Sequence, residues 1–305
     1  MGFLAVVIMN FQSLKEKCEY FRSLTDYRLT PNSYVIVFLD GRSFSKMIKN
    51  KYKKPFDETF IDMMNETAKY LLQNVQGAKF AYVQSDEISI LVTDFDTPMT
   101  DSPFGYRLCK IQSICAAMAA SKFNQLVLQN AFKEHNLPLS HGALPIESDK
   151  SQYDDFCGMV EGQNLVEFDC KAWAVPDYNT AFCHFLWRQN DCIRNSKQQA
   201  AQTYIPHKEL TGLDTDAQIG LLMERENIDW NTAYNDGEKY GRLIYKEKRL
   251  FKNLVADTEA RGLAGTDTTF MREQEYIRNV WETHYASPFA DEGNVIKNLI
   301  PRRNE

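Results

Sequence analysis

Hydrophobic positions along this 305-residue chain fall into blocks of alternating period. Tyr34-Val35-Ile36-Val37-Phe38-Leu39 is a short apolar run with side chains at both parities, which predicts a strand buried on both faces. It stops abruptly at Asp40-Gly41-Arg42. From Asp57 to Val75 the period changes, with Phe60, Ile61, Met64, Ala68, Leu71, Leu72 and Val75 three or four apart. That spacing predicts an amphipathic helix, with Pro55 before it and Gly77 after it as punctuation. Lys79 to Val92 then reads as two strands around Gln84-Ser85-Asp86-Glu87, a hairpin with its acids at the tip. A second helix fits Tyr106 to Leu128 and a fourth strand Leu165 to Val175.

The order βαββαβ predicts a two-layer, ferredoxin-like core. A right-handed crossover makes the first two strands parallel and places the third between them, antiparallel to both. The end of strand one and the hairpin turn then share one edge of the sheet, so Asp40 and Asp86 become neighbours. Asp177 to Tyr204 has the pattern of a long helix, with Phe182, Phe185 and Leu186 as a core stripe. Asp214 or Thr215 can cap a further helix through Leu221, Leu222 and Met223. Gly237 and Gly241 bracket a turn before a short strand at Leu243-Ile244-Tyr245, and Trp281 and Tyr285 are candidates for docking the C-terminal region on the body. The polar stretch from Leu128 to Leu165 reads either as a surface excursion or as an RNA-facing flap. Three segments result: a lead-in (1–32), a catalytic domain (33–176), and a helical extension with a C-terminal region packed on that domain (177–305).

Composition narrows the class. With 44% hydrophobic and 25% charged residues the chain suits a soluble globular protein, and its formal charge of −6 supplies no global positive field for nucleic acid. An RNA partner therefore requires local basic patches. Seven cysteines without a Cys-x-x-Cys pair argue against a disulfide framework or a zinc ribbon and fit a reducing, cytoplasmic setting. The apolar stretch Met1 to Met9 is too short to span a membrane and lacks a basic n-region; an upstream start, with Met9 the natural beginning, is one account of it.

Two ionised carboxylates a few ångströms apart repel unless they share a proton or a cation. Mg²⁺ takes one or two carboxylates and completes its shell with water and substrate phosphates, and a pair of such ions serves phosphoryl or nucleotidyl transfer. Polymerase palm domains and nucleotide cyclases use this arrangement. The expected fold class is thus α/β in its α+β form, a palm-like antiparallel sheet with a helical C-terminal extension. The basic run Lys46, Lys49, Lys51, Lys53 and Lys54 reads as a triphosphate contact or as an ordinary solvated loop.

Asp40-Gly41-Arg42-x-Phe44, Lys54-Pro55, Gln84-Ser85-Asp86-Glu87, Phe168-Asp169 and Trp187-Arg188-Gln189-x-Asp191 resemble, in this order, the tRNA-His guanylyltransferase superfamily. The resemblance runs from about Tyr34 to about Lys246. It implies a Mg²⁺-dependent nucleotidyltransferase that extends RNA 5′ ends in the 3′-to-5′ direction. Two Mg²⁺ ions would be held by Asp40, the Gly41 carbonyl and Asp86, with Glu87 as an accompanying catalytic acid. ATP, GTP or another NTP would lie against Asp40, Gly41, Arg42, Ser43, Phe44 and Ser45, assisted by Ser85, Asp86 and Lys54. The RNA contacts would be Arg188, Arg194, Asn195, Lys197, His207 and Lys208, and a homotetramer is the family's expectation.

Ser45 replaces a His of eukaryotic members, and Ile193-Arg194-Asn195-Ser196 replaces their His-Ile-Asn-Asn. With Pro206-His207-Lys208-Glu209-Leu210, these features are similar to the guanylyltransferase-like branch, which repairs 5′-truncated tRNA under template control. The alternatives are a tRNA-His guanylyltransferase adding G at position −1, a palm-type cyclase or signalling-nucleotide synthase, and a silent RNA-binding relative.

Overall fold

The structure is a computed structural model that describes residues 12–42, 44, 51–97, 99–134, 165–256 and 271–303. Its centre is a six-stranded sheet: β1 (Tyr34–Arg42), β2 (Ala78–Gln84), β3 (Glu87–Val92), β4 (Glu167–Val175), β5 (Arg242–Ala256) and β6 (Met271–Tyr285). The order across the sheet is β4-β1-β3-β2-β5-β6, and every neighbouring pair is antiparallel. β3 therefore lies between β1 and β2, as the crossover rule requires.

Alternation along β1 separates two cores. Val35, Val37 and Leu39 point to the side covered by α2 (Glu58–Asn74) and α3 (Leu108–Glu134). Tyr34 and Ile36 point to the side covered by α4 (Tyr178–Tyr204). The residues α3 buries, Ile111, Cys115, Ala119, Phe123, Val127 and Ala131, stand four apart along one ridge. Its Asn124 accepts from the Val166 amide at 3.0 Å and donates to the Val166 carbonyl at 3.0 Å, which fixes where β4 begins. Both α2 and α4 start on aspartate caps: Asp57 accepts from the Phe60 amide and Asp177 from the Thr180 amide.

A third cluster joins the far half of α4 to α5 (His207–Leu210), α6 (Thr215–Glu226) and α7 (Trp230–Ala233) through Ala200, Ala201, Leu210, Leu222 and Trp230. The cap of α6 is Asp214. The first helix, α1 (Leu14–Ser23), buries none of its residues. At the other end, α9 (Ile296–Leu299) inserts Ile296 into the core beneath α4.

Several readings change. The helix expected to end near Leu128 continues to Glu134, so part of the proposed excursion is helical; residues 135–164 lie outside the described ones. Gly237 sits inside a short helix, α8 (Asp236–Tyr240), rather than at a turn, while Gly241 (φ +82°) does make the bend into β5. The short strand at Leu243–Tyr245 proves to be the first part of a 15-residue strand. Its beginning pairs with β2, so the sheet crosses the boundary drawn at residue 176. Of the two aromatics expected to dock, Trp281 packs on the core beside α2 and α3, whereas Tyr285 is mostly exposed.

Candidate active site

The acids meet where β1 ends. Asp40 stands directly across from Glu87 of β3 and Asp169 of β4, so three carboxylates cross the sheet on the α4 side. Asp86 occupies the two-residue turn between β2 and β3, after Ser85 in a left-handed conformation (φ +43°). The Gly41 amide donates to the Asp86 carbonyl at 3.1 Å, which ties the end of β1 to the turn. A β-carbon on Gly41 would overlap the Phe44 ring, so the motif needs glycine here for close approach. Phe44 is buried among Phe60, Phe123 and Phe168 in edge-on contacts. Ser43, Ser45, Lys46 and Lys49 lie outside the described residues.

The electrostatics sort these acids. Burial raises the Asp40 carboxyl; Lys171 lowers it, Asp169 raises it and Arg188 lowers it again. Burial also raises Asp86, against hydrogen bonds from its own amide and from Ser85, and the Asp40 charge adds to the rise. Burial raises Glu87 too, but here Arg188 opposes it directly. Arg188 Nη2 donates to both Glu87 oxygens at 2.6 and 2.8 Å, Nε donates at 3.1 Å, and Nη2 reaches Asp191 at 2.8 Å. Gln84 donates to Glu87 as well, at 2.6 Å.

Two of the expected site residues, Glu87 and Arg188, lie in this network. Glu87 pairs with Arg188 and Gln84, which ties the hairpin to α4. Arg188 is 6% exposed, and its guanidinium is shared by two carboxylates. Among the other residues assigned to RNA, Arg194 pairs with Asp191 while remaining exposed, and Lys197 pairs with Asp216 at 2.6 Å under Trp230. His207 and Lys208 are exposed on α5, away from the acids' cavity.

Beside the hairpin turn opens a cavity of about 320 Å³. Ser85 and Asp86 line one end, Lys53, Lys54 and Phe56 the segment before α2, and Asn195, Ser196, Gln199, Gln202 and Thr203 the α4 wall. Asn195 thus lines a cavity where an open RNA-facing surface was expected. Lys54 is exposed and makes no ion pair among the described residues. Asp57 receives the Phe60 and Lys53 amides at 2.9 Å each. Asp57 thus caps one amide of the first turn of α2, that of Phe60, and places an acid at the helix start.

Residues 15–176 match the family model described as Thg1, tRNAHis guanylyltransferase. The chain belongs to this family. A tRNA(His) guanylyltransferase of Neurospora crassa is 38% identical over 73% of this chain and 66% of its own length. A bacterial tRNA(His) guanylyltransferase (Thg1)-like protein in complex with ATP superposes with a TM-score of 0.71, at 28% identity, covering 95% of this chain and 99% of its own. The same kind of protein in complex with GTP gives 0.62 at 26% identity, covering 93% and 94%. As a member of the tRNAHis guanylyltransferase family, the protein is a nucleotidyltransferase acting at tRNA 5′ ends.

The donor set suits a hard divalent cation. Among the described residues no group of three or more His, Cys, Asp or Glu side chains is placed to hold a metal. What the β1 end offers is two carboxylates held above their usual range, with the main-chain oxygen of Gly41 between them in sequence. All are oxygen donors, which fits Mg²⁺ better than a softer metal; of the three residues, Asp86 lines the cavity and Asp40 and Gly41 do not. The sequence analysis gave Asp169 only as part of a motif, without a role, and did not single out Gln199, Gln202, Glu238 or Arg242. The i, i+4 spacing of Asn195 and Gln199 was a usable signal for the α4 wall. For Arg242 there was only a charge at the head of an apolar strand.

Proposed function

We propose that the protein is a Mg²⁺-dependent 3′-to-5′ nucleotidyltransferase that repairs 5′-truncated tRNA, adding the nucleotide dictated by the opposing base. Asp40, the Gly41 carbonyl and Asp86 would hold two Mg²⁺ ions, which when bound offset charge on the transferring phosphoryl group. Ser85 and Lys54, at the cavity mouth, would receive the triphosphate of ATP, GTP or another NTP. Gly41 keeps the two acids in register, and the Arg188–Glu87 pair keeps the hairpin against α4, so that nucleotide and RNA end meet in a fixed geometry. The homotetramer suggested by the resemblance is carried forward as part of this reading. No helix among the described residues is long and apolar enough to cross a membrane.

The observation that carries template control is the state of Ile193 and Ser196. These positions are polar in the eukaryotic motif. Here Ser196 is 3% exposed and its hydroxyl donates to the Ile193 carbonyl at 3.0 Å, while Ile193 packs in the α4–α6 cluster. Both side chains are thus engaged within the protein, and losing one base-edge contact gives up about 1–3 kcal/mol of discrimination. Watson–Crick pairing then supplies the selectivity. The test supplies purified protein with several 5′-truncated tRNAs, changing the opposing base from C to A in one of them. Every tRNA tried should be extended with the complement of its opposing base, and incorporation should switch from G to U on the altered one. Continued G addition confined to the tRNA with the histidine anticodon would restore the dedicated guanylyltransferase reading.

A further inference from the structure

We propose that Trp187 is the stacking platform for the templating base of the RNA. The inference deepens the template-control reading and rests on it. Trp187 lies on α4 and is 59% exposed, although burying an indole is among the most favourable things a fold can do with one. Its ring is nevertheless held from the protein side. The Arg188 guanidinium lies 4.6 Å from the ring centroid and is itself pinned by Glu87 and Asp191. His184 meets the ring edge-on, with centroids 6.0 Å apart. Behind His184 stand Trp173, at 5.3 Å, and the Ser89 hydroxyl, 3.1 Å from its Nε2. An aromatic face that is already ordered and still in contact with water loses little further freedom when a flat ligand covers it.

Position says which ligand this is. Asp86 lines the cavity, whereas Asp40 does not and is exposed on the α4 side of the sheet, so the site opens in two directions. The cavity takes the nucleotide, which leaves the open face of Asp40 to the RNA end. Lys171 stands on that face, exposed and 3.5 Å from Asp169. Trp173, two residues further along β4, touches His184, so the Trp187 flank of α4 lies over β4. Arg188 is also 5.5 Å from the Phe38 ring, and Phe38 precedes Asp40 by two residues on the same face of β1. Trp187 is therefore within about 20 Å of Asp40. Trp187, Asn190 and Arg194 follow the i, i+3, i+7 spacing of one helix face, and all three are exposed. The acids beside them are matched, Asp191 by Arg188 and Arg194, and Asp169 by Lys171. Aromatic faces among cations hold single-stranded nucleic acid. In a 5′-truncated tRNA the strand opposite the missing nucleotide is unpaired, and unpaired bases are the ones that can be laid on a side chain. Stacking suits template control, because every base has a π-face. The ring holds the base without identifying it, and the Watson–Crick edge stays free for the nucleotide in the cavity.

The test is equilibrium binding of a 5′-truncated tRNA to the full-length protein, with Mg²⁺ and at fixed salt. It compares wild type with W187A, and the intact RNA with one made abasic at the templating position. Each change alone should weaken binding about tenfold, the scale of one base–aromatic stack. Together they should weaken it no further, because both remove the same contact. W187F, which keeps a ring, should stay within about threefold of wild type, and the KM for NTPs should not move in either variant. 2-Aminopurine at the templating position should lose fluorescence on binding wild type but not W187A. Losses that multiply when the two changes are combined overturn the proposal, as does unchanged affinity in folded W187A. A parallel rise in the KM for NTPs would make Trp187 a structural residue and overturns it too. If W187A fails to fold, the wild type decides, and equal binding of intact and abasic RNA overturns the proposal. Template control is decided separately, by which nucleotide is added. Failure of the wild type to bind any 5′-truncated tRNA would overturn the RNA reading, and this one with it.

Discussion

Two pairs of acids flank the hairpin turn, and they differ in what balances their charge. Glu87 and Asp191 share the buried guanidinium of Arg188, with Gln84 and Arg194 completing the set. Among the described residues Asp86 has no basic partner: the groups that lower its carboxyl are its own amide and Ser85. Asp40 has Lys171 and Arg188 at longer range, opposed by Asp169. A carboxylate satisfied inside the protein is structural. One held near another acid without a matching cation is poised for an ion from solution, and perturbed carboxyls of this kind concentrate at functional sites.

The largest expected effect breaks the unbalanced pair. Asp40→Ala or Asp86→Ala should lower nucleotide addition by about 10²–10³-fold or more, the scale for removing one electrostatic contact to a transition state. Single-turnover rates on a 5′-truncated tRNA measure it, with circular dichroism confirming the fold. A variant retaining wild-type turnover at limiting Mg²⁺ would sink the metal assignment.

Breaking the balanced pair should act on stability. Arg188→Ala strands two largely buried carboxylates and should cost about 3–5 kcal/mol of unfolding free energy. Urea titration measures this, and a loss within 1 kcal/mol would show the network to be dispensable. Arg188→Lys, with one point charge for two carboxylates, should fall between.

A smaller effect should come from Lys54→Ala at the cavity mouth. We expect roughly a tenfold rise in KM for NTPs, about 1.4 kcal/mol, and a lesser loss on RNA that already carries a 5′-triphosphate. Equal losses on both would assign Lys54 to the transfer step.

The smallest effect sharpens the contrast through pH. The Asp86 carboxyl is raised from 3.8 in the folded state, so the folded protein keeps that proton to higher pH than the unfolded chain. Stability falls as pH rises from the unfolded value through the raised folded one, and at neutral pH the ionised group is a net cost. Without divalent ions, Asp86→Asn should therefore unfold slightly later than wild type at pH 7, with the difference shrinking toward pH 4. Mg²⁺ should close the gap by stabilising the wild type more. An Asp86→Asn midpoint below that of wild type in EDTA at pH 7 would contradict the unbalanced-charge account.

How much was legible follows from the range of each interaction. Capping and periodicity are local, so the bounds of α2 and α4 and the cap at Asp214 could be read within a residue or two. The β2–β3 turn is local as well, and the crossover rule carried Asp86 to the end of β1. The second half of β5 is charged and alternates weakly; its strand character comes from pairing with β6, which no local window contains. Arg188 lies one helix away from Glu87 but 101 positions along the chain, and a basic residue on a polar face looks the same whether solvated or buried.

By itself, the amino-acid order determined the βαββαβ core, the meeting of Asp40 with the hairpin turn, and a glycine where the chain must pass close to a ring. These follow from periodicity, handedness and local sterics, which a chain carries with it wherever it folds. Only the tertiary structure decided which charges are spent and which remain available. That distinction depends on the partners each group finds across the sheet and on how much water is removed around it. Burial set the Arg188 guanidinium between Glu87 and Asp191, and turned the Ser196 hydroxyl onto the Ile193 carbonyl of its own helix.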